Sequence, residues 1–471
     1  MKIRKKAKKE KTTIPSENSA IKNKGLTMSE NIAAISTGAA AAGVAVIRIS
    51  GDSPLEIAQK VFKPVGKTAV KDFTPNVMYV GEIDCGDFCD FGMCVYFKAP
   101  KSFTGEDTVE LHTHGGFAIT QGALKKILES GARLATNGEF TKRAFLNGKL
   151  TLSSAEGLIT MINGESVAQA KAGYSLYREK LAQKVKEMQG ELTDALSEID
   201  ADMDFPEEGL TFSAREKVKD ALKSTAQKLE EALSTYRTGR KMVNGVKVGI
   251  CGKPNTGKSS LLNSLLSYEK AIVSNVPGTT RDVVEGVLYI NGVRFNFSDT
   301  AGIRGTDDAV EQVGVNLSKK VLEESDIIIF VLDGTDIGSA DDDIYNVIKD
   351  KNVIVVENKC DMPIKKDDRA ELFVSAKTGE NVDKLKTLIY DRTIGSGVDV
   401  NGDFICEERH YNAMKTALCS LSSAINSADS VSLDVLSIDV KAAWDALGEI
   451  TGVTATEEII NNIFSKFCVG K

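Results

Sequence analysis

The segment "GICGKPNTGKSSLLNSLL", residues 249–266, constrains the fold of this chain more than any other stretch. An apolar run precedes a glycine-rich turn, and leucines at helical spacing follow the turn. Gly252, Gly257, Lys258 and Ser259 fit the pattern G-x-x-x-x-G-K-[S/T], in which backbone N–H groups at the start of a helix surround phosphates. We therefore predict a strand, loop and helix in which Lys258 neutralises β- and γ-phosphate oxygens and Ser259 binds magnesium.

The segment "VIVVENKCD" predicts that the bound base is guanine. Asn358, Lys359 and Asp361 form N-K-x-D directly after an apolar strand. A carboxylate at the last position accepts hydrogen bonds from N1–H and from the exocyclic amine of guanine, a donor pair that adenine lacks. The segment "FVSAK" follows, and its last three residues would bracket the base: Ser375, Ala376 and Lys377. Together these motifs predict a GTPase domain.

The segment "FSDTAGI" is predicted to lie beside the magnesium ion and the γ-phosphate. Asp299 ends a strand, and Gly302 is placed to offer its N–H to the γ-phosphate. Ras-like proteins carry a water-orienting glutamine after this glycine, but here the position is Ile303, which cannot bind water. We expect a downstream carboxylate to position the water instead. The candidates are Asp307, Asp308 and Glu311.

The positive charge that hydrolysis requires has three candidate sources. Asn255 lies inside the phosphate loop, where its amide oxygen is able to bind a monovalent cation that offsets transition-state charge. Arg281 and Arg304 are the rival sources. The intervening segment "AIVSNVPGTTRDVVEG" is a switch region in which Thr280 is placed to bind magnesium.

Composition predicts several domains and a reducing compartment. Residues 1–27 hold nine Lys and Arg against two Glu, a charge of 9 − 2 = +7, so the remainder carries −7 − 7 = −14. No apolar core follows this basic run, so it is not a secretory signal, and we expect a disordered tail or an upstream start. Eight scattered cysteines without a disulfide framework predict a cytoplasmic protein, and no stretch is typical of a membrane span.

Periodicity divides the rest of the chain into four segments, because helical spacing is interrupted by a βα alternation. We predict an N-terminal mixed α/β domain over 28–147, a first helical part over 148–244, a G domain over 245–393 and a second helical part over 394–471.

Seven segments together make the chain similar to a known family. They are "GKPNTGKSS", "PGTTRD", "DTAGIR", "NKCD", "SFTGEDTVELHTHGG", "GEFTKRAFLNGKL" and the final "FCVGK". From Met28 to Lys471 the sequence resembles the tRNA modification GTPase family MnmE, also called TrmE. The resemblance implies a multidomain α/β protein. In it, a Ras-like P-loop G domain is inserted in an α-helical domain, and an α+β, folate-binding-like N-terminal domain that mediates homodimer formation precedes them.

The resemblance also implies an activity. The family hydrolyses GTP in a potassium-activated manner, with Mg²⁺, and GTP hydrolysis drives conformational cycling. With the FAD-dependent partner MnmG (GidA), in a heterotetrameric or larger complex, it installs an (carboxymethyl)aminomethyl group at C5 of the wobble uridine of certain tRNAs. The one-carbon unit comes from a tetrahydrofolate, bound as the 5-formyl or methylene form.

The family's functional residues map onto this sequence as follows. The potassium ligands fall on Asn255, Ser274, Val276 and Thr279, and the magnesium ligands on Ser259 and Thr280. The catalytic residues fall on Glu311, Asn255 and Thr280. The folate contacts fall on Arg48, Glu110, Lys149 and Lys471. The remaining GTP contacts fall on Thr256, Gly257, Lys258, Ser260, Asn275, Pro277, Gly278, Asp299, Thr300, Ala301, Gly302, Asn358, Lys359, Asp361, Ser375, Ala376 and Lys377.

Two other interpretations remain open. A ribosome-assembly GTPase that binds RNA shares the G domain, but a KH module needs a GxxG loop, and none follows residue 405. The charge of −7 − 7 = −14 outside the basic tail also disfavours a broad RNA-binding face. A folate enzyme with a regulatory G domain is the other alternative. The role of Cys468, in the final motif, stays open between a reactive and a structural thiol.

Overall fold

The computed structural model describes residues 30–38, 40–204, 212–267, 286–299, 321–399 and 402–471. These residues form two compact units. The first unit comprises the described residues up to Glu156 together with Leu447–Lys471, and the second comprises those within Gly157–Ala446. Helices α4 (Leu152–Ile162) and α13 (Leu433–Thr451) run through the two boundaries.

Within the described residues, the first unit contains a seven-stranded sheet in the order β3-β4-β5-β6-β2-β1-β7. The strands are β1 (Ile32–Ile35), β2 (Ala42–Gly51), β3 (Phe62–Pro64), β4 (Met78–Asp84), β5 (Cys89–Phe97), β6 (Asp107–Gly115) and β7 (Arg133–Leu134). Neighbours are antiparallel except β1 and β7. The segment "GVAVIRIS" lies within β2, and the side chains of its second half are mostly buried.

The two faces of this sheet differ because successive strand residues point to opposite sides. Ile47 and Ile49 of β2 are buried in a core that also includes Ile57 and Ile127, which lie on helices. Arg48 alternates with these isoleucines and therefore stands on the opposite face. The helices are α1 (Pro54–Val61), α2 (Phe117–Glu129), α3 (Glu139–Leu146) and α14 (Glu457–Ser465), and a short 3₁₀ helix covers Val70–Asp72.

The C-terminal segment packs within the first unit. Phe464 is 2% exposed, and its ring centroid lies 6.0 Å from that of Phe145 in α3. Val469 forms an antiparallel bridge with Asn137. The end of the chain is therefore held by apolar and main-chain contacts, unlike the frayed ends of most chains.

Gly470 permits a close approach that no other residue would tolerate. Its φ is 99°, in the left-handed region, and an added Cβ would lie 2.2 Å from the carbonyl oxygen of Ile35 at the end of β1. The glycine of the final motif thus fixes the position of Lys471 beside the sheet.

The second unit combines helices with a separate sheet. Helices follow one another from Val167 to Asn244, before the sheet, and helices return after it. The helices are α5 (Val167–Tyr177), α6 (Lys180–Asp204), α7 (Phe212–Ser234), α8 (Tyr236–Asn244), α9 (Lys258–Ser267), α10 (Ser339–Ile348), α11 (Val382–Thr393) and α12 (Glu408–Ser427). None of the helices in the described ranges is both long and apolar enough to cross a bilayer.

The sheet of the second unit has six strands among the described residues, in the order β13-β12-β11-β8-β10-β9. The strands are β8 (Val246–Cys251), β9 (Gly286–Ile290), β10 (Val293–Asp299), β11 (Ile327–Asp333), β12 (Val353–Asn358) and β13 (Leu372–Phe373). All pairs are parallel except β9 with β10. Every residue of β11 is buried, as expected for a central parallel strand covered on both faces.

The turn of the β9–β10 hairpin is bonded to helix α5. The backbone N–H of Ala168 donates to the carbonyl oxygen of Gly292 at 3.0 Å, and Arg294 forms an ion pair with Glu165. Ala168 belongs to the same buried cluster as Phe295 of β10. The sheet and the first helices of this unit therefore share a core.

Candidate nucleotide-binding site

The phosphate loop has the predicted context, because β8 leads into a loop and α9 begins at Lys258. Gly252 has a φ of 147°, and an added Cβ would lie 2.3 Å from the carbonyl oxygen of Val331 in β11. The Lys258 ammonium is 2.9 Å from the carbonyl oxygen of Gly252 and 2.6 Å from that of Lys253. The loop thus wraps around the amine that the sequence assigns to phosphate binding.

Asn255 and Thr256 form the tip of this loop. Asn255 adopts a left-handed φ of 66° and is exposed, which suits a side chain that serves a ligand. Thr256 is 1% exposed, and its hydroxyl donates to the carbonyl oxygen of Lys253 at 3.1 Å. Ser259 and Ser260 are exposed in the first turn of α9, beside the N–H groups of the helix start.

The side chain of Asn358 joins the phosphate loop to the guanine motifs. Its amide nitrogen donates to the carbonyl oxygen of Thr256 at 2.9 Å, and its amide oxygen accepts from the N–H of Ala376 at 3.0 Å. Asn358 is 2% exposed. Only glycine fits beside it at position 257, since a Cβ added to Gly257 would lie 2.3 Å from the amide nitrogen of Asn358. Three sequence motifs therefore meet at one buried amide.

The carboxylate that the sequence assigns to guanine recognition is held by one neighbour. The Ser375 hydroxyl donates to the Asp361 carboxylate at 2.7 Å, and this bond lowers the pKa of Asp361. Ser375 is fully buried, whereas Asp361 and Lys377 are exposed. The acceptor that guanine needs is thus ionised and oriented toward an accessible position.

Lys359 of the guanine motif has a partner that the sequence analysis missed. Its ammonium lies 2.5 Å from the carboxylate of Asp333, the last residue of β11, and Thr335 also donates to that carboxylate. Burial alone would raise the pKa of Asp333, but hydrogen bonds from Lys359 and Thr335 lower it. An acidic residue at the end of a central parallel strand is the signal that would have identified this partner.

Part of the predicted site lies outside the described residues. These positions are Ser274, Asn275, Val276, Pro277, Gly278, Thr279, Thr280, Thr300, Ala301, Gly302 and Glu311, together with Arg281 and Arg304. The prediction that Asp299 ends a strand is confirmed, since it is the last residue of β10 and pairs with Ile250 of β8, immediately before the phosphate loop.

Arg48 and Glu110, two of the predicted folate contacts, form an ion pair in the first unit. The guanidinium lies 2.8 Å from the Glu110 carboxylate and stacks within 5.1 and 5.6 Å of the rings of Phe103 and Phe140. Burial alone would raise the pKa of Glu110, but His112 and Arg48 outweigh it and lower that pKa. The Nε2 atom of His112 is buried 3.6 Å from the Glu110 carboxylate, just beyond hydrogen-bond distance, and makes no hydrogen bond to any other described residue.

The two other predicted folate contacts are also in the first unit. The Lys149 ammonium donates to the carbonyl oxygen of Pro100 at 3.0 Å, and Lys149 packs beside Gly105 in the loop that follows β5. Lys471 is half-buried, and its N–H lies 3.4 Å from the carbonyl oxygen of Cys468. Across the described part of the chain, no three His, Cys, Asp or Glu side chains are grouped so as to hold a metal ion.

The fold and this site define a P-loop GTPase whose G domain accompanies a helical domain and a β-rich N-terminal domain. Two family models match the chain, one for the N-terminus of the GTP-binding protein TrmE over residues 31–149 and one for the MnmE helical domain over residues 152–468. Relatives described as tRNA modification GTPase MnmE are 38% identical in Thermoanaerobacter pseudethanolicus, over 458 residues, and in Acetivibrio thermocellus, over 457 residues. Each alignment covers 94% of this chain and 99% of the relative.

The chain therefore belongs to the tRNA modification GTPase family MnmE, and it is a GTP hydrolase. A crystal structure of Aquifex aeolicus Era bound to GDP·AlF4⁻ is 34% identical and matches 37% of this chain and 66% of that chain, with a TM-score of 0.26. At that score the likeness supports no conclusion.

The geometry of the guanine motif predicts a change of base preference in Asp361→Asn. An amide in place of the carboxylate loses the acceptor for one guanine N–H and gains a donor for the 2-oxo group of xanthine. We expect GTP affinity to fall by about 10- to 100-fold and xanthosine triphosphate affinity to rise. Equilibrium binding of both nucleotides measures this. Asp368→Asn, a change at an exposed carboxylate of the same loop, is the control, and undiminished GTP selectivity in Asp361→Asn would exclude the assigned role.

Proposed function

We propose that this protein is a potassium-activated GTPase that acts on the wobble uridine of certain tRNAs. With an FAD-dependent partner of the MnmG type, it installs an (carboxymethyl)aminomethyl group at C5, using a one-carbon unit from tetrahydrofolate. The observation that carries the proposal is that relatives described as tRNA modification GTPases align over 94% of this chain. The eight free thiols fit a cytoplasmic setting.

In the proposed hydrolysis, different residues bind the phosphates, Mg²⁺ and K⁺. Lys258 and the N–H groups at the start of α9 stabilise the β- and γ-phosphates. Ser259 and Thr280 hold Mg²⁺, which would neutralise charge on the phosphate oxygens. Asn255 binds K⁺ together with Ser274, Val276 and Thr279. The exposed, left-handed backbone of Asn255 supports this assignment, because it turns the side chain away from the packed loop interior.

Potassium dependence follows from the role of Asn255. A site of amide and carbonyl oxygens that fits K⁺ is too wide for Na⁺, so we expect GTP hydrolysis to be on the order of tenfold or more faster in potassium than in sodium at equal ionic strength. Steady-state phosphate release from the full chain measures this. Asn255→Ala should remove most of the difference, and equal rates of the unaltered protein in the two salts would refute the potassium assignment.

Water positioning is assigned to Glu311, since Ile303 stands where a Ras-like glutamine would be. We expect Glu311→Ala to lower single-turnover hydrolysis by about 100- to 10,000-fold while GTP affinity is retained. Asp307→Ala and Asp308→Ala are matched controls, because they remove nearby carboxylates that are not assigned to the water. If Glu311→Ala hydrolyses GTP at the unaltered rate, the assignment fails.

The folate site is proposed at Arg48, Glu110, Lys149 and Lys471. A folate offers a pterin with several N–H donors, which suits the Glu110 carboxylate, and a glutamate tail, which suits lysine ammonium groups. The Nε2 atom of His112 is buried and makes no hydrogen bond among the described residues, since its closest carboxylate oxygen, on Glu110, is 3.6 Å away, and this supports a polar ligand here, because buried polar atoms normally have a hydrogen-bond partner.

The close contact between Gly470 and β1 leads to a prediction about the proposed folate site. In Gly470→Ala the new Cβ collides with the Ile35 carbonyl and Lys471 is displaced, so we expect the dissociation constant for 5-formyltetrahydrofolate to rise by about tenfold. Gly131→Ala is the matched control, since Gly131 also has a positive φ, of 117°, but an added Cβ there meets no atom within 4 Å. Isothermal titration of the full-length protein measures both, and equal affinities of the two variants would contradict the role of Lys471.

A homodimer is proposed from the exposed apolar side chains of the first unit's sheet. Met78 and Val80 of β4 and Phe91 of β5 are 49, 47 and 56% exposed. The strand register places all three on the face opposite α1 and α2. Contiguous apolar surface of this kind marks association. Light scattering of the full chain measures its mass, and a monomeric mass at micromolar concentration would exclude the dimer.

The function as a whole is tested in cells that lack this protein. Mass spectrometry of their tRNA should show wobble uridines without the aminomethyl-type group at C5, and expression of the chain should restore it. Normal tRNA accompanied by defective ribosome assembly would instead identify a ribosome-assembly GTPase. Normal tRNA with altered folate pools would identify a folate enzyme with a regulatory G domain.

A further inference from the structure

We propose that the ion pair between Lys253 and Asp341 is a positioning device that pre-organises the phosphate loop for nucleotide binding. The Lys253 ammonium lies 2.9 Å from the Asp341 carboxylate. Lys253 is the first variable residue of the phosphate-loop pattern, whereas Asp341 lies in the first turn of α10, far along the chain. The inference concerns the GTPase centre and does not depend on potassium, folate or tRNA.

Asp341 is a fixed anchor. Its side chain is fully buried, and one carboxylate oxygen accepts both from Lys253 and from the N–H of Gly338, which precedes α10. Its other carboxylate oxygen is buried without a partner among the described atoms. A buried carboxylate is costly unless it is paired, so the approach of Lys253 to α10 is strongly favoured.

Asp336 contributes a main-chain acceptor and an exposed carboxylate to the same contact. The Lys253 ammonium also lies 2.6 Å from the carbonyl oxygen of Asp336 and 3.5 Å from its carboxylate. The Asp336 side chain is 84% exposed, so solvent screens that charge and leaves it free to move. Asp341 is therefore the buried charge that restrains Lys253, and the main-chain carbonyl of Asp336 is a second, uncharged acceptor for the same ammonium.

The other end of Lys253 reaches the phosphate-binding lysine. The backbone carbonyl of Lys253 accepts hydrogen bonds from the Lys258 ammonium at 2.6 Å and from the Thr256 hydroxyl at 3.1 Å. Restraining the side chain of Lys253 therefore restrains the carbonyl that orients Lys258. In this way a contact on the far side of the loop defines the geometry of the loop's phosphate-facing side.

Pre-organisation predicts which kinetic constant changes. When the anchor is lost, the loop must be ordered at the moment of binding, and that cost weakens the binding of any nucleotide that carries the β-phosphate. Once the phosphates are bound they order the loop themselves, so the rate at saturation is largely retained. A merely structural role would instead lower the folded fraction, and with it the apparent kcat, without changing KM.

The test compares Lys253→Met, which keeps the aliphatic stem and removes the charge, with Lys253→Arg, which can still pair with Asp341. Steady-state hydrolysis gives KM and kcat for GTP, and fluorescence titration with mant-GDP gives an independent dissociation constant. Asp342→Asn is the matched control, because this neighbouring carboxylate is 60% exposed and pairs with Arg369 instead of the loop. All measurements use the full-length protein.

We expect Lys253→Met to raise KM and the mant-GDP dissociation constant by about tenfold with kcat within twofold, and Lys253→Arg to restore both. Asp342→Asn should leave them unchanged. Unaltered nucleotide affinity in Lys253→Met, a loss confined to kcat, or failure of arginine to restore affinity would each overturn the proposal. If Asp341→Asn remains folded, it should resemble Lys253→Met, and the double variant should be no weaker than either single one.

Discussion

The buried amide of Asn358 is the interaction on which the nucleotide site depends. It donates to the phosphate loop at Thr256 and accepts from the base-bracketing segment at Ala376. One side chain thus sets the distance between the phosphate-binding and base-binding ends of the site. Because the Asn358 side chain is buried, neither end can shift without leaving one of its polar atoms unsatisfied. The strict glycine requirement at Gly257 follows from the same close approach.

Around that amide, lysines connect the site to the carboxyl end of β11 and the loop that follows it. Lys359 pairs with Asp333, which ends β11, and Lys253 pairs with Asp341 at the start of α10. Each lysine belongs to a motif predicted to contact nucleotide. One partner is the last residue of a central parallel strand, and the other lies in the first turn of the helix that follows that strand. This is the edge at which open α/β sheets bind ligands. The two ion pairs therefore lie at the same edge of the sheet as the residues predicted to bind nucleotide.

Local patterns predicted the parts of the fold that depend on near neighbours. The strand before the phosphate loop, the helix that starts at Lys258 and the strand that ends at Asp299 all follow from apolar runs and glycine positions. The partners of Lys253 and Lys359 could not be predicted, because those contacts depend on how distant elements approach one another. Likewise, the sequence suggested a role for Lys471, but the carbonyl that Gly470 packs against becomes evident only when β1 is in place.

The β9–β10 hairpin links regions that the chain separates. Its strands adjoin residues 268–285 on one side and 300–320 on the other, where the predicted γ-phosphate contacts lie, while its turn is bonded to α5 through Gly292 and Ala168. β10 therefore runs from a turn that is bonded to a helix of the second unit to Asp299, which pairs with the strand that leads into the phosphate loop. A single strand thus joins the helical part of this unit to the edge of its sheet where the phosphate loop begins.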